Sequence, residues 1–112
     1  MEIRAIVRIE LLDSVVHCLE GAGVPRLAVE RVHAIGSGVD PDAVRISFDE
    51  GSEYAEMGRV RFICRGERCG MYVELISNAA RTGRPGDGIV SVHPVIDVTK
   101  IRTGARGPAA LG

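Results

Sequence analysis

Aromatic residues are scarce in this chain of 112 residues, which has no Trp, two Tyr and two Phe. Base-stacking platforms for nucleic acid depend on such side chains, and a formal net charge of −1 offers no basic excess for a phosphate backbone. Long apolar runs are also missing, because charged residues interrupt the opening MEIRAIVRIE. We therefore expect no nucleic-acid binding, no direct membrane insertion and a cytoplasmic location.

The three cysteines, Cys18, Cys64 and Cys69, are too few and too scattered for a disulfide framework. Cys64 alternates with apolar residues at strand spacing, and Cys69 lies on the apolar stripe of a helical pattern. Both are therefore predicted to be buried thiols rather than zinc ligands. No nucleophile–base set and no pair of carboxylates for acid–base chemistry stands out. The sequence predicts neither a metal site nor an enzyme.

Glycine, by contrast, is abundant, with 14 residues, and the chain length suits one domain. Its 46% hydrophobic and 26% charged residues are ordinary for a globular protein. A chain of this size can bury a single core without disulfides or a structural metal. We expect one domain over residues 1–112.

Hydrophobic periodicity predicts the order strand, helix, strand, strand, helix, strand. Strand spacing occurs in four segments, residues 2–9, 27–35, 59–64 and 90–98, the last of which contains Pro94 and is either one strand or a bent pair. Helical spacing occurs in two segments, residues 12–22 and 67–83. This order predicts an α+β, ferredoxin-like βαββαβ fold, an antiparallel sheet with both helices on one face. The bare opposite face favours an oligomer that packs its sheets together.

Residues 37–57, which we term the acidic segment, show no sustained period. The segment has six acidic residues against Arg45 alone, a net charge of −5, so that the rest of the chain carries +4. Loops of this length in compact domains are usually functional or disordered. We expect it to be a disordered loop in the free protein and to dock on a basic surface of a partner.

Two motifs follow the second predicted helix. The first is TGRPGDG, residues 82–88. We term residues 83–88 the glycine loop, and its three glycines allow backbone N–H groups to approach an anion closely. The second is KIRTG, residues 100–104, the basic run. In extended backbone Lys100 and Arg102 point to the same side, so that both side chains can reach one phosphate group.

These motifs and the opening IRAIVR resemble the P-II nitrogen-regulatory signalling family, with its TGxxGDG loop and its RIRTG run after the last strand. The similarity covers nearly the whole chain except the acidic segment. It implies a compact homotrimer that binds an adenine nucleotide, ADP, AMP or ATP, in each cleft between subunits, without a prosthetic group. The acidic segment corresponds to the family's T-loop, which docks on a regulated transporter or enzyme, and residues 103–112 form a C-terminal tail.

The resemblance also assigns individual residues. Those that match nucleotide-binding positions of the family are Ile6, Ala34, Ile35, Gly36, Gly86, Asp87, Gly88, Lys100 and Arg102. Those predicted to contact a partner protein are Asp49, Glu50, Glu53 and Tyr54. Some family members carry a uridylylated tyrosine in this loop, but Tyr54 stands about four residues late, so a partner contact is the favoured interpretation.

The chain departs from the family pattern where the family contacts phosphates and 2-oxoglutarate. Ser37 and Gly38 stand where a Gln helps to hold magnesium and 2-oxoglutarate, and Met57 and Ile89 replace two lysines. A hydrogen bond to a charged group contributes about 1.5–3 kcal/mol, so two losses reduce affinity by about two to four decades. We expect ADP or AMP to bind in preference to ATP, without 2-oxoglutarate sensing by the family's usual route.

Two further functions stay open at this point. One is a divergent P-II-like sensor of a different small ligand in bicarbonate, carboxysome or transporter regulation, which the two missing lysines favour. The other, from another class, is a trimeric metal-binding protein of the same shape, as in the CutA group. The TGxxGDG and KIRTG motifs speak against the metal-binding function.

Overall fold

The structure is a computed structural model of the chain, and it describes residues 1–47 and 52–112. Within these residues the strands are β1 (Glu2–Arg8), β2 (Ala28–Ala34), β3 (Val44–Ser47), β4 (Ser52–Ile63) and β5 (Gly88–His93). The α-helices are α1 (Leu12–Gly21) and α2 (Cys69–Ala80). The antiparallel sheet has the order β2-β4-β1-β5, and β3 pairs with the beginning of β4. The predicted α+β, ferredoxin-like fold is therefore confirmed.

Strand β1 lies at the centre of the sheet because its alternating apolar side chains fill the core. Ile3, Ala5 and Val7 are at most 1% exposed, and β1 pairs with β4 on one side and β5 on the other. Both helices pack on this face and contribute Val15 of α1 and Ile76 of α2 to the same apolar cluster. Burying one such side chain contributes about 1.5–3 kcal/mol, so this layer is the main source of stability.

Neither described α-helix packs on the other sheet face, which is buried at one end around Arg8 and Met57 and open elsewhere. Ile63 and Ile89 are 37% and 68% exposed on this side. Glu30 pairs there with Arg59, whose Nη2 lies 2.9 Å from Glu30 Oε2, and with Arg61 at 3.3 Å. The hydrogen bond from Arg59 lowers the pKa of Glu30. This face combines exposed apolar side chains with paired charges, a composition suited to contact with another protein chain.

The acidic segment contains more regular structure than its sequence predicted. A 3-10 helix over Pro41–Ala43 leads into β3, and β3 pairs with β4 in a hairpin from Val44 opposite Ala55 to Ser47 opposite Ser52. The expectation of an irregular, disordered loop was therefore wrong for residues 41–47 and 52–57. The predicted partner-binding residues Asp49 and Glu50 lie outside the described residues.

The last predicted strand was too long. Strand β5 ends at His93 because Pro94, which follows it, has no N–H group to donate to a neighbouring strand. The chain then makes a tight reversal over residues 98–107. Its backbone hydrogen bonds run from Lys100 N to Ala105 O, 2.8 Å, and from Gly107 N to Val98 O, 2.9 Å.

Candidate functional site

The glycine loop is closed by the carboxylate of Asp87. This carboxylate accepts hydrogen bonds from the backbone N–H groups of Thr82 at 2.8 Å and Gly83 at 2.9 Å, and from the Thr82 hydroxyl. The Thr82 donors, followed by Arg8 and Gly83, hold the pKa of Asp87 well below its usual range. Asp87 is therefore ionised at neutral pH, and its lone pairs are used within the protein.

Arg8, at the end of β1, connects the glycine loop to the acidic segment. Its side chain is only 3% exposed. Nε donates to Asp87 Oδ1 at 2.9 Å, Nη1 donates to Asp40 Oδ2 at 2.5 Å, and Nη2 donates to the carbonyl of Pro85 at 2.9 Å. A guanidinium suits this position because its planar fork presents several donors at fixed angles.

These contacts form a charge cluster, consisting of Arg8, Asp40 and Asp87, at one end of the sheet. Hydrogen bonds to the two carboxylates, first to Asp40, raise the pKa of Arg8, while the Arg8 guanidinium lowers the pKa of Asp40. Asp40 also accepts a hydrogen bond from the N–H of Asp42 at 2.9 Å and so caps the 3-10 helix that begins the acidic segment. One cation thus fixes two segments far apart in sequence.

Gly86 and Gly88 have tight surroundings that only glycine satisfies. Both have positive φ, 96° and 101°. A Cβ on Gly86 would lie 2.6 Å from the backbone nitrogen of Asp40, and one on Gly88 would lie 1.8 Å from the carbonyl oxygen of Ile6. The sequence suggested that these glycines make room for an anion. The structure shows that they allow the loop to pack against its own chain.

Several predicted nucleotide-binding residues lie around this loop. Ile6, Asp87 and Gly88 line one cleft of about 280 Å³ between α2 and the β1–β5 edge. Ile35 and Gly36 line another of about 650 Å³, which the glycine loop reaches through Pro85. Ala34 ends β2 opposite Ala55. Ile35 and Gly36, which are predicted to contact the base of a nucleotide, therefore lie beside the glycine loop, which is predicted to contact its phosphates.

Lys100 and Arg102 lie elsewhere. Lys100 lines a separate cleft of about 290 Å³ together with Glu2 and Arg61. Gly88 is the partner of Val7, which lies five residues, or about 17 Å, along β1 from Glu2 beside Lys100. Within one chain, the basic run and the glycine loop do not meet.

The backbone of the basic run also differs from the prediction. Residues 101–103 form a turn, closed by a hydrogen bond from Gly104 N to Lys100 O of 2.8 Å, so the expected extended backbone was wrong. Gly104 has φ of 74°, a left-handed conformation that ends this turn and that glycine adopts readily. The Nζ atom of Lys100 donates to the backbone oxygen of Gly112 at 2.8 Å, and Arg102 is exposed.

Of the predicted partner-binding residues, Tyr54 is the one whose side chain the structure describes. It stacks on His33 with 3.9 Å between ring centroids and 29° between planes. Glu53 belongs to β4, but its side chain is outside the described part. Tyr54 thus packs on the neighbouring strand β2 and is half-buried.

The sequence pattern did not single out Arg8 or Asp40. A weak signal was present, because Asp40-Pro41-Asp42 has the Asp and Pro that commonly begin a helix. The two positions that lack the expected lysines lie on either side of this region. Met57 is buried opposite Arg8, while Ile89 is exposed opposite Ile6.

In residues 1–47 and 52–112 there is no group of three or more His, Cys, Asp or Glu side chains that could hold a metal ion. None of the helices described is long and apolar enough to span a membrane.

Comparison with known proteins places this chain in a family. The family model of nitrogen regulatory protein P-II matches residues 1–105. A nitrogen regulatory protein P-II of Microchaete diplosiphon is 30% identical over 110 residues, covering 98% of both chains. Nitrogen regulatory protein P-II 1 of Methanothermobacter thermautotrophicus is 35% identical, covering 98% of this chain and 96% of the relative. This chain belongs to the P-II family of nitrogen regulatory, signal-transduction proteins.

Proposed function

We propose that the protein is a regulatory homotrimer that binds an adenine nucleotide between neighbouring subunits and controls a target protein through the acidic segment. The observation that carries this proposal is the separation of the glycine loop from the basic run. The β1 residues beside them, Val7 and Glu2, are about 17 Å apart, which favours a ligand that contacts the glycine loop of one chain and the basic run of another. The exposed sheet face, with Ile63 and Ile89, supports such an assembly.

The glycine loop is suited to the role of a rigid anion-binding element. Asp87 and Arg8 hold its backbone from inside, so its peptide groups need little reorganisation when a ligand arrives. Arg8 pairs with the Asp87 carboxylate and so offsets part of the negative charge within the loop. Arg84 is exposed within the same loop and is available to a phosphate.

The preference for ADP or AMP over ATP rests on Met57 and Ile89. Met57 is buried beside Arg8, and Ile89 presents an apolar side chain on the open face. Neither can donate a hydrogen bond to a distal phosphate, and each lost charged hydrogen bond costs about 1.5–3 kcal/mol. A third phosphate would therefore gain little at this site.

Partner regulation would use the acidic segment, which Asp40 joins to the charge cluster. Asp40 and Asp87 are bound to the same guanidinium. A movement of the glycine loop would therefore shift Asp40 and the 3-10 helix that leads into β3. The excess of carboxylates in this segment favours a basic surface on the target. Tyr54, stacked on His33, would form part of that contact.

Calorimetric titration of the full chain with AMP, ADP, ATP and 2-oxoglutarate tests this proposal. We expect ADP or AMP to bind more tightly than magnesium-ATP, with no strengthening by 2-oxoglutarate. The matched control is the double variant Lys100→Ala/Arg102→Ala, which should bind all three nucleotides more weakly. Tight magnesium-ATP binding that 2-oxoglutarate strengthens would contradict the proposed specificity.

A second candidate is a P-II-like protein that senses a different small ligand in bicarbonate, carboxysome or transporter regulation. The same buried Met57 and apolar Ile89 favour it, because both remove charges suited to a nucleotide triphosphate. Adding bicarbonate to the calorimetric panel distinguishes the two. Heat of binding with bicarbonate and none with any adenine nucleotide would favour this second candidate.

A further inference from the structure

Two cysteine thiols lie in contact where β4 leads into α2, away from the glycine loop. The Sγ atoms of Cys64 and Cys69 are 3.6 Å apart, and both thiols are free. Cys64 is buried, as predicted, whereas Cys69 is only half-buried. A disulfide has an S–S distance of about 2.05 Å, so the sulfur atoms need to move about 1.5 Å closer.

The backbone around this pair is held in place on both sides. The N–H of Cys64 donates to Met1 O at 2.9 Å, and its carbonyl accepts from the Met1 amino group at 3.1 Å. Cys69 is the first residue of α2, whose apolar side chains pack in the core. The contact between the thiols is therefore part of the fold, and side-chain rotation is the movement that a bond requires.

We propose that Cys64 and Cys69 form an intramolecular disulfide by exchange with a low-molecular-weight disulfide of the glutathione type. Cys69 is the attacking residue, because it is the more accessible of the two thiols. Cys64 is the resolving residue, since it is buried within contact distance of the Cys69 sulfur.

The exchange proceeds in two balanced steps. The Cys69 thiolate attacks one sulfur of glutathione disulfide, the S–S bond breaks, and one glutathione leaves as a thiolate that takes up the proton lost by Cys69. The Cys64 sulfur then attacks Cys69, its proton passes to the second glutathione, and that thiol leaves. Two cysteines are oxidised to one cystine, and one glutathione disulfide is reduced to two thiols.

The order of the two steps follows from the difference between the thiols. Burial, together with the hydrogen bond that its thiol makes with the Cys69 sulfur, raises the pKa of Cys64 to about 11. Few Cys64 thiols are ionised at neutral pH, so this residue reacts slowly with reagents in solution. Once Cys69 carries a mixed disulfide, its sulfur lies against Cys64, and proximity replaces ionisation as the factor that drives the second step.

Oxidation of the full chain with glutathione disulfide, followed by thiol blocking and peptide mass mapping, tests the proposal. We expect one product in which residues 64 and 69 are linked and Cys18, which is exposed, is separately blocked or glutathionylated. The Cys18→Ser variant should give the same linkage. A wild-type product that stops at the mixed disulfide, or that links Cys18, would overturn the proposal.

Two matched variants test the assigned roles. Cys64→Ala should accumulate the mixed disulfide on Cys69 and lose the intramolecular product. Cys69→Ser should leave Cys64 unmodified over the same time, because the buried Cys64 thiol is shielded from the reagent. Circular dichroism checks that both variants fold, and the wild-type mapping decides the question if either does not. Rapid glutathionylation of Cys64 in Cys69→Ser would contradict the assigned order.

Discussion

Arg8 is the residue on which the candidate site depends most. Replacing it with Ala leaves Asp40 and Asp87 without their cation, and breaking a buried ion pair in this way costs about 3 kcal/mol of unfolding free energy. Arg8→Lys is the matched control, because it keeps the charge but loses the planar fork. We expect urea denaturation to give the order wild type, Lys variant, Ala variant. Equal stability of the Lys variant and the wild type would show that charge alone matters.

The two carboxylates of the charge cluster predict how stability depends on pH. Both have a pKa lower in the folded protein than the value of about 3.9 expected in the unfolded chain. Their contribution is therefore complete above about pH 5, and it is lost as the pH falls below about 4, where the unfolded chain takes up protons first.

Denaturation measured between pH 3 and pH 7 checks this dependence. The wild type should lose stability on acidification more steeply than Asp87→Asn, in which this carboxylate no longer titrates. Parallel curves for the two proteins would show that the Asp87 carboxylate contributes nothing to the acid sensitivity.

At the scale of the elements, strand β5 depends on close approach to β1 at Gly88. The Gly88→Ala variant would place Cβ 1.8 Å from the carbonyl oxygen of Ile6, at φ of 101°. The backbone strain alone costs about 1–3 kcal/mol, and the clash with main-chain atoms of β1 adds to it. Gly21→Ala is the control, because nothing lies within 4 Å of its added Cβ. Thermal unfolding should show a large loss of stability for Gly88→Ala alone, and similar melting temperatures would contradict this account.

An element could be predicted from the sequence when its pattern is contained in its own residues, and not when it depends on residues far away in the chain. The hydrophobic pattern was sufficient to predict β1, α1 and α2, because each of these elements buries one regular apolar face against a single core. The β3–β4 hairpin was not predicted because β3 has only four residues and the beginning of β4, SEYAEM, shows no regular alternation. The contact of Arg8 with Asp40 joins residues 32 positions apart, and no local pattern encodes such a pair.

At the scale of the whole molecule, the near-neutral net charge is a cancellation between two regions. The acidic segment carries −5 and the remainder +4, and the basic run lies in the second region. The motifs of the glycine loop and the basic run were sufficient to identify the P-II family from sequence. Their separation within the chain was not predictable, because it follows from the three-dimensional course of β1 and from the turn after Pro94.

We expect the glycine loop of one subunit and the basic run of its neighbour to bind the same nucleotide. Two variants disable the two halves separately. Gly83→Asp places a negative charge in the loop at a position with open space and with positive φ, which Asp tolerates better than most residues. Lys100→Ala/Arg102→Ala removes both cations of the basic run. Each variant alone should lose ADP binding.

The decisive measurement is ADP calorimetry on a sample in which the two variants are co-expressed in equal amounts and assemble together. Random assembly places an intact loop beside an intact basic run at about a quarter of the interfaces in a closed ring, so about a quarter of the wild-type sites should return. Recovery at that level is the result we predict. No recovery from mixed trimers, or full ADP binding by either variant alone, would contradict a site shared between subunits.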